Sequence, residues 1–80
     1  MVTGSQIRAA RSFLGWSARQ LAEASGVALQ TVQRFEQHAG LPAARVQTLQ
    51  DVISALEKAG VEFIGTPDEP GVILRRRAPR

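Results

Sequence analysis

The chain has 80 residues, a length that fits one small domain and excludes a multidomain enzyme. Hydrophobic residues make up 44% of it and charged residues 21%, as in ordinary folded domains, and the absence of cysteine excludes disulfides and thiolate metal sites. The net charge of +3 is unevenly distributed, because residues 1–40 carry four arginines against two glutamates, residues 41–74 are acidic, and residues 75–80 hold four more arginines. This segregation favours an anionic partner.

Two short helices are predicted at the start of the chain. Ile7 and Leu14 bound a run with helical spacing, and Gly15 follows as a helix stop. Ser17 and Gln20 have the spacing of a capping box, in which each residue bonds to the backbone of the other. We therefore expect a second helix to begin at Ser17.

A third helix is predicted directly after a tight turn. Gly26 can take the left-handed conformation that ends a helix, so the second helix should be short. Val27 then turns inward, and Val32 and Phe35 have the spacing of a buried helix face. The segment 38–42, which contains glycine and proline, should break this third helix.

The fourth helix is expected to begin near Pro42, because proline suits the first turn of a helix. It should end near residues 58–60, where a lysine, an alanine and a glycine follow one another. Its predicted buried stripe consists of Val46, Leu49, Ile53 and Leu56.

The last part of the chain changes from helical to extended patterning. Residues 61–64 and 72–74 are β-branched or aromatic, and residues 65–71 have the composition of a loop, so a small hairpin is predicted. An isolated hairpin is marginally stable in water, so it should pack on the fourth helix or pair with another chain. We therefore predict a mainly α fold with a four-helix domain over residues 1–59, a packing or dimerising hairpin over 60–75, and a disordered basic tail over 76–80. The tail either contacts phosphates or is a solubilising terminus.

The second and third helices have the spacing of a helix-turn-helix unit. Such a unit needs a small residue where its helices touch, a corner residue that tolerates positive φ, and branched apolar residues beneath its second helix. On this pattern, and on the run from Leu14 to Glu36, residues 5–59 resemble the Cro/CI-type, or XRE-type, helix-turn-helix family of bacterial and phage regulators. The core residues of the unit are Leu21, Ala22, Gly26, Val27, Val32 and Phe35.

The resemblance implies that the outer face of the third helix enters the major groove of DNA. Glutamine can pair with adenine, arginine with guanine, and leucine can meet the methyl group of thymine. The same residues are also ordinary components of a solvated helix surface. The predicted base-reading residues are Leu29, Gln30, Gln33 and Arg34.

Two residues depart from the family pattern. Ala18 stands where many members have a glutamine that holds a phosphate, and Ala28 stands where serine or threonine usually caps the third helix. The family also pairs an arginine of the first helix with a late glutamate of the third, and Arg11 and Glu36 occupy those positions here. The predicted phosphate contacts are Arg19, Gln20, Gln37 and Arg45.

The function expected from this resemblance is sequence-specific binding of double-stranded DNA by a homodimer that reads an inverted repeat, as a transcriptional regulator and more specifically a repressor. The alternative is an antitoxin or other protein-interaction module that binds a partner such as a toxin through the same scaffold and its C-terminal strands. No catalytic constellation is visible, and a single histidine without cysteine predicts no metal site, so we expect neither an enzyme nor a cofactor. We further expect a cytoplasmic protein without membrane spans.

Overall fold

The structure, a computed structural model, describes residues 2–38, 40 and 45–75. Over these residues the chain forms four helices followed by one antiparallel hairpin, which confirms the predicted mainly α fold. None of the described helices is long and apolar enough to cross a membrane. The elements are α1 (Gly4–Leu14), α2 (Ala18–Ser25), α3 (Leu29–Glu36), α4 (Val46–Lys58), β1 (Val61–Gly65) and β2 (Pro70–Leu74).

Local signals set the ends of α2 as predicted. The Gln20 amide donates to Ser17 Oγ at 3.1 Å, and the Ser17 amide donates to Gln20 Oε1 at 2.7 Å, which completes the capping box. Gly15 ends α1 and Gly26 ends α2, with φ of 69° and 72°, in the left-handed region that glycine enters without steric cost. A second capping box, between Thr3 and Gln6, starts α1 and was not among the predictions.

The predicted beginning of α4 was wrong. Arg45 is its N-cap and has extended backbone angles, so the helix begins at Val46 and not near Pro42, which lies outside the described residues. The predicted stripe is also shifted. Val46 is 82% exposed and Ile53 is only partly buried, whereas Leu49, Val52 and Leu56 form the buried face of α4.

The strands of the hairpin are longer than predicted, and the loop between them is shorter. Thr66 and Glu69 exchange backbone hydrogen bonds of 3.3 and 3.1 Å, which closes a turn at residues 67–68. The strands therefore reach Gly65 and Pro70, which lie opposite each other. Proline has no amide hydrogen to donate. It is tolerated at position 70 because β2 is an edge strand, on which a backbone nitrogen that points away from β1 has no strand partner.

The hairpin packs mainly on α1, and to a smaller extent on α4, which was the expected support. Val61 is buried, and Phe63 and Val72 pack against the core. The side chain of Gln6, only 4% exposed, donates from Nε2 to the carbonyl of Ile64 at 3.0 Å and to that of Gly71 at 2.9 Å. One buried amide therefore joins α1 to both strands.

The first turn of α1 lies directly against the end of α3. The Gly4 amide donates to the Gly40 carbonyl at 2.9 Å, and a Cβ atom at Gly4 would overlap with the carbonyl oxygens of Phe35 and His38. Only glycine permits this approach, because both obstructing atoms belong to backbone. The contact fixes where α3 ends relative to α1.

We predict that Gly4→Ala destabilises the protein by about 2–3 kcal/mol, because the added methyl group forces α1 and α3 apart. In an unobstructed helix the same change would stabilise by about 1 kcal/mol. Thermal and urea unfolding followed by circular dichroism measure the difference. The matched control is Ser5→Ala, at the exposed neighbouring position, which should change stability by less than about 0.5 kcal/mol. A Gly4→Ala protein more stable than wild type would contradict this account of the contact.

Candidate nucleic-acid interface

The helix α3 presents one buried and one exposed face. Val32 and Phe35 are fully buried and hold the helix in the core. The exposed polar residues repeat at intervals of three and four, so they form a single stripe on the opposite side. This stripe, called here the α3 stripe, consists of Gln30, Gln33, Arg34 and the C-cap residue Gln37.

The N-cap residue of α3, Ala28, and its first residue, Leu29, differ in how well they match their predicted roles. Leu29, predicted to read bases, is only partly exposed and packs against the core, so only part of its side chain is open to a ligand. Ala28 is the N-cap and supplies no side-chain hydrogen bond, as expected for alanine at that position. The first amides of α3 therefore have no side-chain cap.

The predicted ion pair between α1 and α3 is present in the structure. Arg11 donates from Nε to Glu36 Oε2 and from Nη2 to Glu36 Oε1, both at 2.8 Å, which is the two-pronged geometry that suits arginine. Its Nη1 donates to the carbonyl of Trp16 at 2.9 Å, just before α2. The hydrogen bond to Glu36 raises the pKa of Arg11 above its ordinary value, although burial opposes the shift. Arg11 therefore stays charged and joins α1 to α3 and to the segment just before α2.

This ion pair changes the electrostatics of α3. Glu36 is the only acidic residue in the helix, and its side chain is 10% exposed with both oxygens bonded to Arg11. The remaining charge on the helix is that of Arg34, whose side chain is exposed and makes no hydrogen bond to another described residue. The α3 stripe therefore presents amides and one cation, with no uncompensated acid.

An open polar groove of about 580 Å³ runs between α1, the start of α2 and α3. It brings Gln33 and Gln37 of the α3 stripe together with Arg8, which sequence reasoning did not select. Arg8 is exposed, and it lies one helical turn before Arg11, a spacing that could have indicated that both face α3. The groove is lined by Arg8, Arg11, Ala18, Gln33, Glu36 and Gln37.

The remaining predicted phosphate contacts lie at two helix starts. Arg19 is exposed in the first turn of α2, beside Gln20, whose side-chain oxygen serves the capping box and whose amide nitrogen is left to donate outward. Ala18 lines the groove but offers only its backbone. Arg45 is exposed at the N-cap of α4, and no described contact joins it to the α3 stripe.

The predicted core of the helix-turn-helix unit is buried, apart from its exposed corner glycine. Leu21, Val32 and Phe35 are fully enclosed, and Ala22 and Val27 are at most 9% exposed. No protein-family model matches the chain, and no curated protein matches it significantly. The membership in the XRE-type family therefore stays a prediction that rests on these residues and their spacing.

Two ion pairs among the described residues should differ sharply in their contribution to stability. Arg11 and Glu36 have side chains 20% and 10% exposed, whereas the Arg75–Glu62 pair of the hairpin, with a similar distance of 2.7 Å, is 63% and 47% exposed. We predict that Arg11→Met lowers the free energy of unfolding by about 3 kcal/mol, because it leaves Glu36 enclosed without a partner. Arg75→Met should cost less than about 1 kcal/mol, because water screens that pair.

Urea denaturation of both variants measures this difference, and the Arg11→Met protein should melt roughly 10–20 °C below wild type. Methionine keeps the aliphatic stem in each case, so lost packing contributes little to the comparison. An equal loss of unfolding free energy in the two variants would show that the Arg11–Glu36 pair does not hold α3 in place.

Proposed function

We propose that this protein is a sequence-specific DNA-binding regulator that places the α3 stripe in the major groove of double-stranded DNA. The supporting observation is that the outer face of α3 carries amides and one arginine while its only acid is neutralised by Arg11. A single helix fits the width of the major groove, and amide and guanidinium groups can each form two hydrogen bonds with a base edge. Gln30, Gln33 and Arg34 are all exposed for this role, whereas Leu29 is only partly exposed.

The cations around α3 support contacts to the DNA backbone on either side of the stripe. Arg8 and Gln37 line the polar groove beside α3, so a phosphate in that groove would meet donors from α1 and α3, and Arg19 is exposed in the first turn of α2. These donors are candidate substitutes for the phosphate-binding glutamine that Ala18 replaces. Contacts to phosphate position the helix, whereas contacts to base edges give specificity.

Each protomer offers a short stripe and few cations, so we infer that it binds as a homodimer to an inverted repeat. Two recognition helices then meet half-sites about 10 bp apart, on one side of the duplex. Occlusion of a promoter by such a dimer makes a repressor the simplest regulatory outcome. A protein-interaction role, as in an antitoxin, is the second candidate, which the open hairpin edge favours.

Selection from random duplex DNA with the purified protein, at about 100 mM salt, tests the proposal directly. We expect an inverted repeat to be enriched. Arg34→Ala should weaken binding to that site by about 10- to 100-fold and relax the preference at one position of each half-site, because a bidentate contact to one base is lost. An unchanged preference in this variant would overturn the assignment of Arg34.

Arg8→Ala is the matched control, because it removes an arginine beside α3 without altering the α3 stripe. The DNA affinity of this variant should fall by a similar factor on every sequence. Its binding constant should also depend less on salt, with a slope of log K against log salt that is shallower by about 0.9 for each protomer bound. If wild-type protein enriches no site and shows only general, salt-sensitive binding, the interaction role replaces the regulatory one.

A further inference from the structure

The leading end of α3 is apolar, whereas the rest of its outer face is polar. Ala28 precedes the helix and is exposed, and Leu29, its first residue, is half-buried with the rest of its surface open. The hydroxyl group just before them in the chain, that of Ser25, is occupied, because Oγ donates to the Leu21 carbonyl at 2.8 Å and accepts the Val27 amide at 3.3 Å. The side chains at positions 28 and 29 therefore offer a base an apolar contact and no hydrogen bond.

Leu29 lies in line with part of the α3 stripe. It precedes Gln33 by four residues and Gln37 by eight, so the three side chains follow one ridge of the helix. Leu29 also packs against the core, which holds the exposed part of its side chain in a defined position. A helix-turn-helix unit brings the N-terminal residues of its recognition helix to the base edges. In the proposed DNA complex, an apolar side chain therefore leads this ridge into the major groove.

The acid of α3 is not placed to read a cytosine at this end. Cytosine presents an amino group in the major groove, which a carboxylate can accept. Glu36 is the only acid of α3, it lies at the far end of the helix, and both its oxygens accept hydrogen bonds from Arg11. Thymine presents a carbonyl oxygen and a C5-methyl group instead. Leu29 can bond neither the amino group nor the carbonyl, so the methyl group is the feature by which it distinguishes pyrimidines.

We propose that Leu29 reads the C5-methyl group of a pyrimidine, so that the protein distinguishes DNA methylated at C5 of cytosine from unmethylated DNA. Thymine and 5-methylcytosine carry their methyl group on the same ring atom, so Leu29 meets the same apolar surface on either base. Methylation of a cytosine at this position of a half-site strengthens binding. This inference rests on the proposed function, since it requires α3 in the major groove.

The expected effect follows from the burial of one methyl group. Such burial against an apolar side chain changes an equilibrium constant by about fourfold. A dimer on an inverted repeat makes the contact twice, so methyl groups in both half-sites should together change the affinity by about 15-fold.

The test takes the site that the selection experiment enriches and changes one base at a time, thymine to deoxyuracil and cytosine to 5-methylcytosine. Each change removes or adds one methyl group and leaves the hydrogen-bonding groups of the base in place. At one pyrimidine of each half-site, wild-type protein should bind the form with the methyl group about fourfold more tightly than the form without it. Fluorescence anisotropy titrations measure both affinities.

Two variants assign the effect to Leu29. Leu29→Ala shortens the side chain and Leu29→Gln replaces its apolar end by an amide, so in both the ratio of the two affinities should fall to about one. The ratio is taken within one protein, so a loss of stability or of overall affinity cancels. Gln33→Ala, on the same ridge, is the matched control, which should weaken binding to both DNAs and keep the fourfold ratio.

A scan in which no methyl group changes the affinity of wild-type protein overturns the inference, and so does a ratio that persists in both Leu29 variants. In either case the enriched site still supports the proposed function. If the selection enriches no site, the proposed function and this inference fail together, so the two failures give different results.

Discussion

The position of α3 depends on the guanidinium group of Arg11. Its planar fork meets both oxygens of Glu36 near the end of α3, and its remaining nitrogen meets the Trp16 carbonyl ahead of α2. Lysine could not replace it, because an ammonium group lacks the fixed fork that binds a carboxylate at two points and a carbonyl at a third. One side chain of α1 therefore holds both helices of the turn unit in a fixed relation.

Gln6 has the corresponding role near the start of α1. An amide side chain both accepts and donates, so Gln6 accepts the Thr3 amide while it donates to carbonyls of the two strands. No buried side-chain polar atom among the described residues lacks a partner, although the core is small. In a domain of this size the apolar core is small, so apolar packing alone specifies the relative orientation of helices and strands less strictly. Buried polar groups whose hydrogen bonds are all formed add that specificity.

Two grooves lie on different sides of α1. Arg8 and Arg11 line the polar groove toward α3, whereas Ala9 and Phe13 line the apolar groove toward β2. Gln6 and Arg11 fix the hairpin and α3 to this same helix.

Residues close in sequence determined much of the fold. The caps at Ser17 and Gly26 and the buried face of α3 were predictable, because a helix end and a helix face depend on neighbours three or four positions away. The resemblance of the turn unit to a known family also predicts that Arg11 pairs with Glu36, and the structure contains this pair. These parts of the candidate interface were therefore available from the sequence.

Contacts between distant segments were decided only by the tertiary structure. Gln6 meets carbonyls 58 and 65 residues later, and Gly4 is required by backbone atoms at the end of α3, so no local pattern marks either residue. The sequence determined which residues form helices, strands and charged faces. The packing of α1 against α3 and β2 decided which of these faces contact one another. The local sequence does not set these contacts, because the surfaces that meet are built from both ends of the chain.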